Sequence, residues 1–196
     1  MSYLLLIKHS LPEIQEHIPA REWHLSEDGC LQCQHLAALI KPYLIQKVIT
    51  SVEPKAVETG HIIAEQLDCP FSIEVGLHEH DRTNEFFLAR EEFETMVQSF
   101  FETPSKVVMG RESAEQALSR FQTAVDDIVD RFPGENLAIV AHGTVISLFA
   151  ARYGKMNAFL LWKQLELPSF IVFSMPEKQI VKLVPSLQEA KSEIEE

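Results

Sequence analysis

Short aliphatic runs that end on polar residues alternate along the chain with longer stretches in which apolar residues recur every three or four positions. "YLLLIKH" is continuous and aliphatic, the pattern of a strand covered on both faces. Pro12 then sends the chain into a loop. A capping signal at Ser26 opens an amphipathic helix, with Leu31, Leu36, Ala37, Ile40 and Leu44 on a drifting apolar face. "KVIT" is a second short strand that ends at Ser51, and Pro54 suits the first turn of the helix that follows. Ala56, Ile63, Ala64 and Leu67 form the inner side of that helix. "FSIEV" alternates as a strand does. "NEFFLAREEFETMVQSFFETP" is helical in pattern, with Phe86, Phe87, Phe93, Phe100 and Phe101 as packing residues. The clearest helix is "ESAEQALSRFQTAVDDIVDRF", where Ala114, Ala117, Leu118, Phe121, Val125, Ile128 and Phe132 recur at helical spacing. "LAIVAH" is a strand, "GTVISLFAARYG" a helix, and "SFIVFSM" and "QIVKLV" a terminal hairpin around Pro176 and Glu177.

This alternation predicts an α/β fold: a three-layer sandwich with a mostly parallel central sheet and helices on both faces. One domain is expected over residues 1–185, with a segment at about 77–110 inserted over the carboxyl edge of the sheet. Residues 186–196 form an acidic, frayed tail. The chain has 196 residues, 46% hydrophobic and 23% charged, the balance of an ordinary soluble domain. A net charge of −12 argues against nucleic acid or an anionic membrane as partner, while leaving room for a small anion in a local basic pocket. No apolar stretch has membrane-spanning length, and the apolar start lacks a basic leader and a cleavage site, so a cytoplasmic location is expected. Cys30 and Cys33 form a C-x-x-C, read as semi-buried helix side chains because no second such pair exists.

Ligands of open α/β sheets bind beyond the carboxyl ends of the strands. Lys8 and His9 close the first strand, Ser51 the second and His142 the fourth; Glu79 follows the third, and Lys55 opens the helix after Ser51. Two imidazoles, two ammonium groups and a carboxylate at one edge suit a phosphoryl group, which needs cations, a nucleophile in line and a proton for the leaving oxygen. Gly143-Thr144 offers helix-terminal amides, and Gln15 is a weaker candidate contact. Arg82 is a candidate two-pronged phosphate ligand, and Asp81 a second candidate proton donor. His78 and His80 read as surface histidines.

In the order of these motifs the chain resembles the histidine phosphatase superfamily, also called the phosphoglycerate mutase-like family, from about Tyr3 to about Leu183. Lys8-His9-Ser10 stands where that family has Arg-His-Gly. "SVEPKAVET" matches its serine, its arginine four residues on and its Ala-x-Glu-Thr, with lysine at Lys55. "LHE" matches its donor segment, "IVAHG" its late His-Gly, and "GRESAEQALSRF" its Gly-x-Glu-Ser. The resemblance implies a phosphatase in which His9 attacks phosphorus and becomes phosphohistidine. His142 donates to the phosphoryl oxygens, Lys8 and Lys55 cradle them, and Glu79 protonates the leaving oxygen. It implies no metal and no organic cofactor, and a small phosphorylated molecule or a phosphoprotein as substrate. Lysine keeps the charge of the two family arginines and loses their planar fork. That loss motivates a rival reading, a non-catalytic phosphate-binding or scaffold member; a phosphoglycerate-type mutase ranks lower. The terminal hairpin offers an edge on which a homodimer can pair.

Overall fold

The computed structural model describes residues 2–82 and 89–188. Six strands form one sheet in the order β3-β2-β4-β1-β5-β6. They are β1 (Ser2–Lys8), β2 (Lys47–Thr50), β3 (Phe71–Ile73), β4 (Leu137–Ala141), β5 (Ser169–Met175) and β6 (Gln179–Val184). The first four pair in parallel, whereas β5 runs antiparallel to β1 and β6 antiparallel to β5. The expected mostly parallel sheet, with a hairpin on one side, is therefore present.

Alternation along the strands builds two cores. Leu4 and Leu6 of β1, Leu137, Ile139 and Ala141 of β4, and Ile171 and Phe173 of β5 face one cluster. Leu5 and Ile7, Ala138 and Val140, and Phe170 and Val172 face the other. The first cluster is closed by α4 (Ala114–Arg131) and α5 (Gly143–Gly154), whose Phe121 and Phe149 are fully buried. Val97 and Phe100 of α3 (Arg90–Glu102) and Leu161 of α6 (Ala158–Gln164) complete it. The second is closed by α1 (Glu27–Ile40) and α2 (Pro54–Leu67). Ser26 caps α1 by accepting from the Gly29 amide, and Ser113 with Gln116 forms a reciprocal capping box on α4. No helix among the described residues is long and apolar enough to cross a membrane.

Several expectations need correction. Leu31 is 56% exposed, because the inward stripe of α1 is Gly29, Cys33, Leu36, Ala37 and Ile40, and Leu31 lies off it. Leu44 is 74% exposed, since α1 ends at Ile40 and Leu44 follows a 3-10 turn in the left-handed region. β3 stops at Ile73 instead of reaching Val75. The helix α6 was not expected from the pattern. Phe86 and Phe87 lie outside the described residues, as do residues 189–196 of the tail, whereas Ser186 is buried and Leu187 packs on the second core.

Gly29 marks a close approach that bears on the site. A Cβ there would stand 2.1 Å from the Leu11 carbonyl oxygen, a backbone atom that cannot swing away, and the Gly29 carbonyl accepts from the Ser10 hydroxyl at 2.8 Å. Alanine at a helical glycine ordinarily gains about 1 kcal/mol, but here overpacking against backbone outweighs it. Gly29→Ala is expected to lower the unfolding free energy in urea by about 1–3 kcal/mol; a gain in stability would contradict the packing described.

Candidate active site

Parallel pairing brings the site together. Lys8 is in register with Ala141, and the His9 amide continues the ladder by donating to the Ala141 carbonyl at 3.1 Å. The residues that follow the two strands, His9 and His142, therefore stand side by side. Their ring centroids are 5.2 Å apart, with the planes at 62°. His9 is 7% exposed and His142 1% exposed. The Nδ1 of His9 lies 2.8 Å from the Ser10 carbonyl oxygen. A carbonyl only accepts, so Nδ1 carries the proton and Nε2 holds the lone pair. Ser10 is itself fixed, its amide donating to Thr59 Oγ1 at 3.0 Å.

His142 caps α5, and its Nε2 is 2.8 Å from the Ser51 hydroxyl and 3.4 Å from Glu53 Oε1. Its Nδ1 is buried and has no partner among the described residues. Glu79 accepts from two backbone amides, His80 at 2.8 Å and Thr144 at 3.1 Å. The Thr144 amide expected to meet phosphate thus meets Glu79 in the free protein.

Both lysines are bound to protein groups. Lys8 Nζ donates to the Leu165 carbonyl at 2.6 Å, passing over Gly143, where a Cβ would stand 3.3 Å from the ammonium. Lys55 Nζ donates to the Ala20 carbonyl and to Glu53 Oε2, each at 2.6 Å. Arg82 stacks its guanidinium 4.7 Å from the Phe93 ring centroid. Asp81 is held through its backbone, its amide donating to Glu112 Oε1 and its carbonyl accepting from Arg111. Gln15 is exposed, and its carbonyl accepts from the Trp23 indole; its side chain forms no hydrogen bond with the histidine pair among the described residues. His80 is not a surface histidine. It is 3% exposed and lies 4.1 Å from the Phe100 ring, because the loop folds under Glu79.

Burial governs the charge states. Desolvation holds His9 well below the usual histidine range, aided by the neighbouring charges of His142 and Lys55. Desolvation pushes His142 down to about 3, against the opposing pull of Glu79. Both rings are neutral at pH 7. Burial lowers Lys8 to about 8, opposed by Glu79 and Glu166. For Glu79 burial favours the acid, but His142, Arg82 and the two amide donors outweigh it and hold the carboxyl below its ordinary value.

Sequence reasoning missed three supporting groups. Glu53 is buried beside Lys55, and its Oε1 accepts from the Glu79 amide at 2.9 Å. Arg120 of α4 donates to the carbonyls of Gly76 at 2.7 Å, His78 at 2.9 Å and Glu79 at 3.3 Å, and it pairs with Glu112. Those contacts fix the loop that carries Glu79. Glu112 lies within the "GRESAEQ" segment, which was the available signal; Glu53 offered none beyond its place between Ser51 and Lys55.

A family model described as histidine phosphatase superfamily (branch 1) matches residues 4–183. The chain belongs to this superfamily. Solved histidine-phosphatase-like folds align along almost its whole length. A phosphoserine phosphatase from Entamoeba histolytica is 18% identical with a TM-score of 0.77, covering 96% of this chain and 98% of that one. A mycobacterial glucosyl-3-phosphoglycerate phosphatase is 15% identical with a TM-score of 0.74, covering 94% and 99%. The alpha-ribazole phosphatase of Shigella flexneri is 19% identical with a TM-score of 0.71, covering 94% and 96%. The comparison with curated protein sequences finds no match. In this member of the superfamily, the histidine pair and Glu79 meet at the carboxyl edge of the sheet.

The neutral imidazoles make a linkage prediction. A histidine whose folded pKa lies below its unfolded value destabilises the fold on acidification, because the unfolded chain takes up the proton first. Between pH 6.5 and about 3 His142 alone steepens the loss of stability by about 1.4 kcal/mol per pH unit. Denaturant titrations of a His142→Gln protein should show a slope shallower by that amount over this window. An unchanged slope would mean that His142 is not buried neutral.

Proposed function

We propose that the protein is a phosphatase that hydrolyses a phosphomonoester through a phosphohistidine on His9. One observation carries this reading most directly: the Nδ1 proton of His9 is tied to the Ser10 carbonyl, leaving the Nε2 lone pair on a neutral buried ring beside His142. Neutral imidazole is a competent nucleophile, and its fixed tautomer removes the need to reorient at the moment of attack.

In the first step the Nε2 lone pair of His9 forms a bond to phosphorus, and the bond to the ester oxygen breaks. Glu79 gives that oxygen a proton, so an alcohol leaves. In the second step water attacks the phosphohistidine, Glu79 takes the water proton, and inorganic phosphate is released with His9 restored. With the Ser51 hydroxyl donating to Nε2 of His142, the Nδ1 of that ring bears a proton for a phosphoryl oxygen. Lys8 and Lys55 supply positive charge, and Arg82 supports the Glu79 side of the site. Glu79 is ionised in the free site, so its acid role requires that the arriving phosphoryl charge raise its pKa, as a neighbouring anion does. Phosphorylated small molecules and phosphoproteins are the substrate classes, in keeping with the phosphatases named among the structural relatives.

A second reading, a phosphate-binding member without turnover, draws support from the engagement of both lysines by protein oxygens. Rapid quenching with a ³²P-labelled ester separates the two. Acid-labile, base-stable label is expected in the native protein and absent in His9→Ala; label that persists in His9→Ala would refute the nucleophile. Binding of phosphate with no label and no turnover on a broad ester panel would favour the second reading. For the acid, Glu79→Gln is expected to lower kcat roughly 10²–10⁴-fold on alkyl phosphates. The loss should be much smaller on nitrophenyl phosphate, whose leaving group needs no proton. An equal loss on both substrates would remove Glu79 from the acid role.

A further inference from the structure

Glu53 takes no part in the chemistry above, yet its carboxylate holds the ammonium of Lys55. It is 8% exposed. Its Oε2 accepts from the Lys55 ammonium at 2.6 Å, its Oε1 accepts from the Glu79 amide at 2.9 Å, and Oε1 stands 3.4 Å from Nε2 of His142. An ammonium on one oxygen and a backbone N–H on the other are donors of the kind that an oxyanion seeks. A buried lysine beside a buried carboxylate is also not available to a second anion without breaking that pair, and two anions at one buried cation repel each other strongly.

We infer that Glu53 is the resident anion of the free site and that an incoming phosphoryl group must displace its carboxylate from Lys55. The inference rests on the phosphate reading of this pocket and adds to it a residue that sets affinity and selectivity. Glu53 satisfies Lys55 while the site is empty, which keeps a buried ammonium from standing unpaired. It also sets a threshold. Weakly held single anions, such as a carboxylate ligand, do not replace it, whereas a phosphoryl group carrying more charge and three acceptor oxygens does. Glu53 is thus a positioning residue: it acts through Lys55 and does not itself touch the reacting atoms.

Calorimetric titration with inorganic phosphate and with orthovanadate tests this on the full chain. Glu53→Gln keeps the shape and removes the charge. It is expected to bind both anions at least tenfold more tightly than the native protein, with a lower KM for nitrophenyl phosphate as the accompanying kinetic change. Glu53→Asp keeps the charge and draws it back by one methylene; it should bind more tightly than native but less tightly than Glu53→Gln, and it carries the test if the amide variant does not fold. Native binding that neither folded variant tightens, or that either weakens, overturns the inference and leaves the phosphate site standing. Failure of native protein and folded variants alike to bind either anion overturns both.

Discussion

The in-register pairing of β1 with β4 is the constraint on which the site depends. Lys8 opposes Ala141, and one further hydrogen bond, from the His9 amide to the Ala141 carbonyl, sets both histidines at the same height on the sheet edge. Each strand is buried on both faces, so a slip of one residue would turn Leu4 and Leu6 away from one core and Leu5 and Ile7 away from the other. The packing of two cores therefore fixes the geometry of the histidine pair. Stability and chemistry are joined in the same ladder.

Burial also fixes charge. Two neutral buried rings make the free site less positive than its composition implies. The lysines follow the same logic. Lys8 rests on the Leu165 carbonyl and Lys55 on Ala20 and Glu53, so both cations are held by protein oxygens. Glu79 is positioned from three sides, by the His80 and Thr144 amides, by the Glu53 carboxylate on its own amide, and by Arg120 through the loop carbonyls. A carboxylate held this firmly at the amino end of a helix has little freedom to reorient.

Much of this was legible in the chain. Continuous aliphatic runs ending in Lys8-His9 and in His142 point to buried strands with polar ends at one sheet edge, and Ser51, Glu79 and Lys55 fall at that edge by the same reading. What stayed hidden depended on distance in sequence or on side-chain direction. Arg120 reaches across more than forty positions to the Glu79 loop, which no local pattern reports. Glu53 carries no local signal in the sequence, and only the fold of the turn after β2 buries it. Leu31 and Leu44 looked like core and are exposed, because one lies off the inward stripe and the other beyond the helix end. Gln15, a polar residue near the first motif, is exposed and has no side-chain hydrogen bond to the histidine pair among the described residues.

A crystal structure of the native protein with orthovanadate tests the central claim most directly. The account predicts vanadium bonded to Nε2 of His9, with the His142 ring facing its equatorial oxygens across the present gap. Vanadate bound elsewhere, or rings 9 and 142 parted with no oxyanion between them, would contradict it.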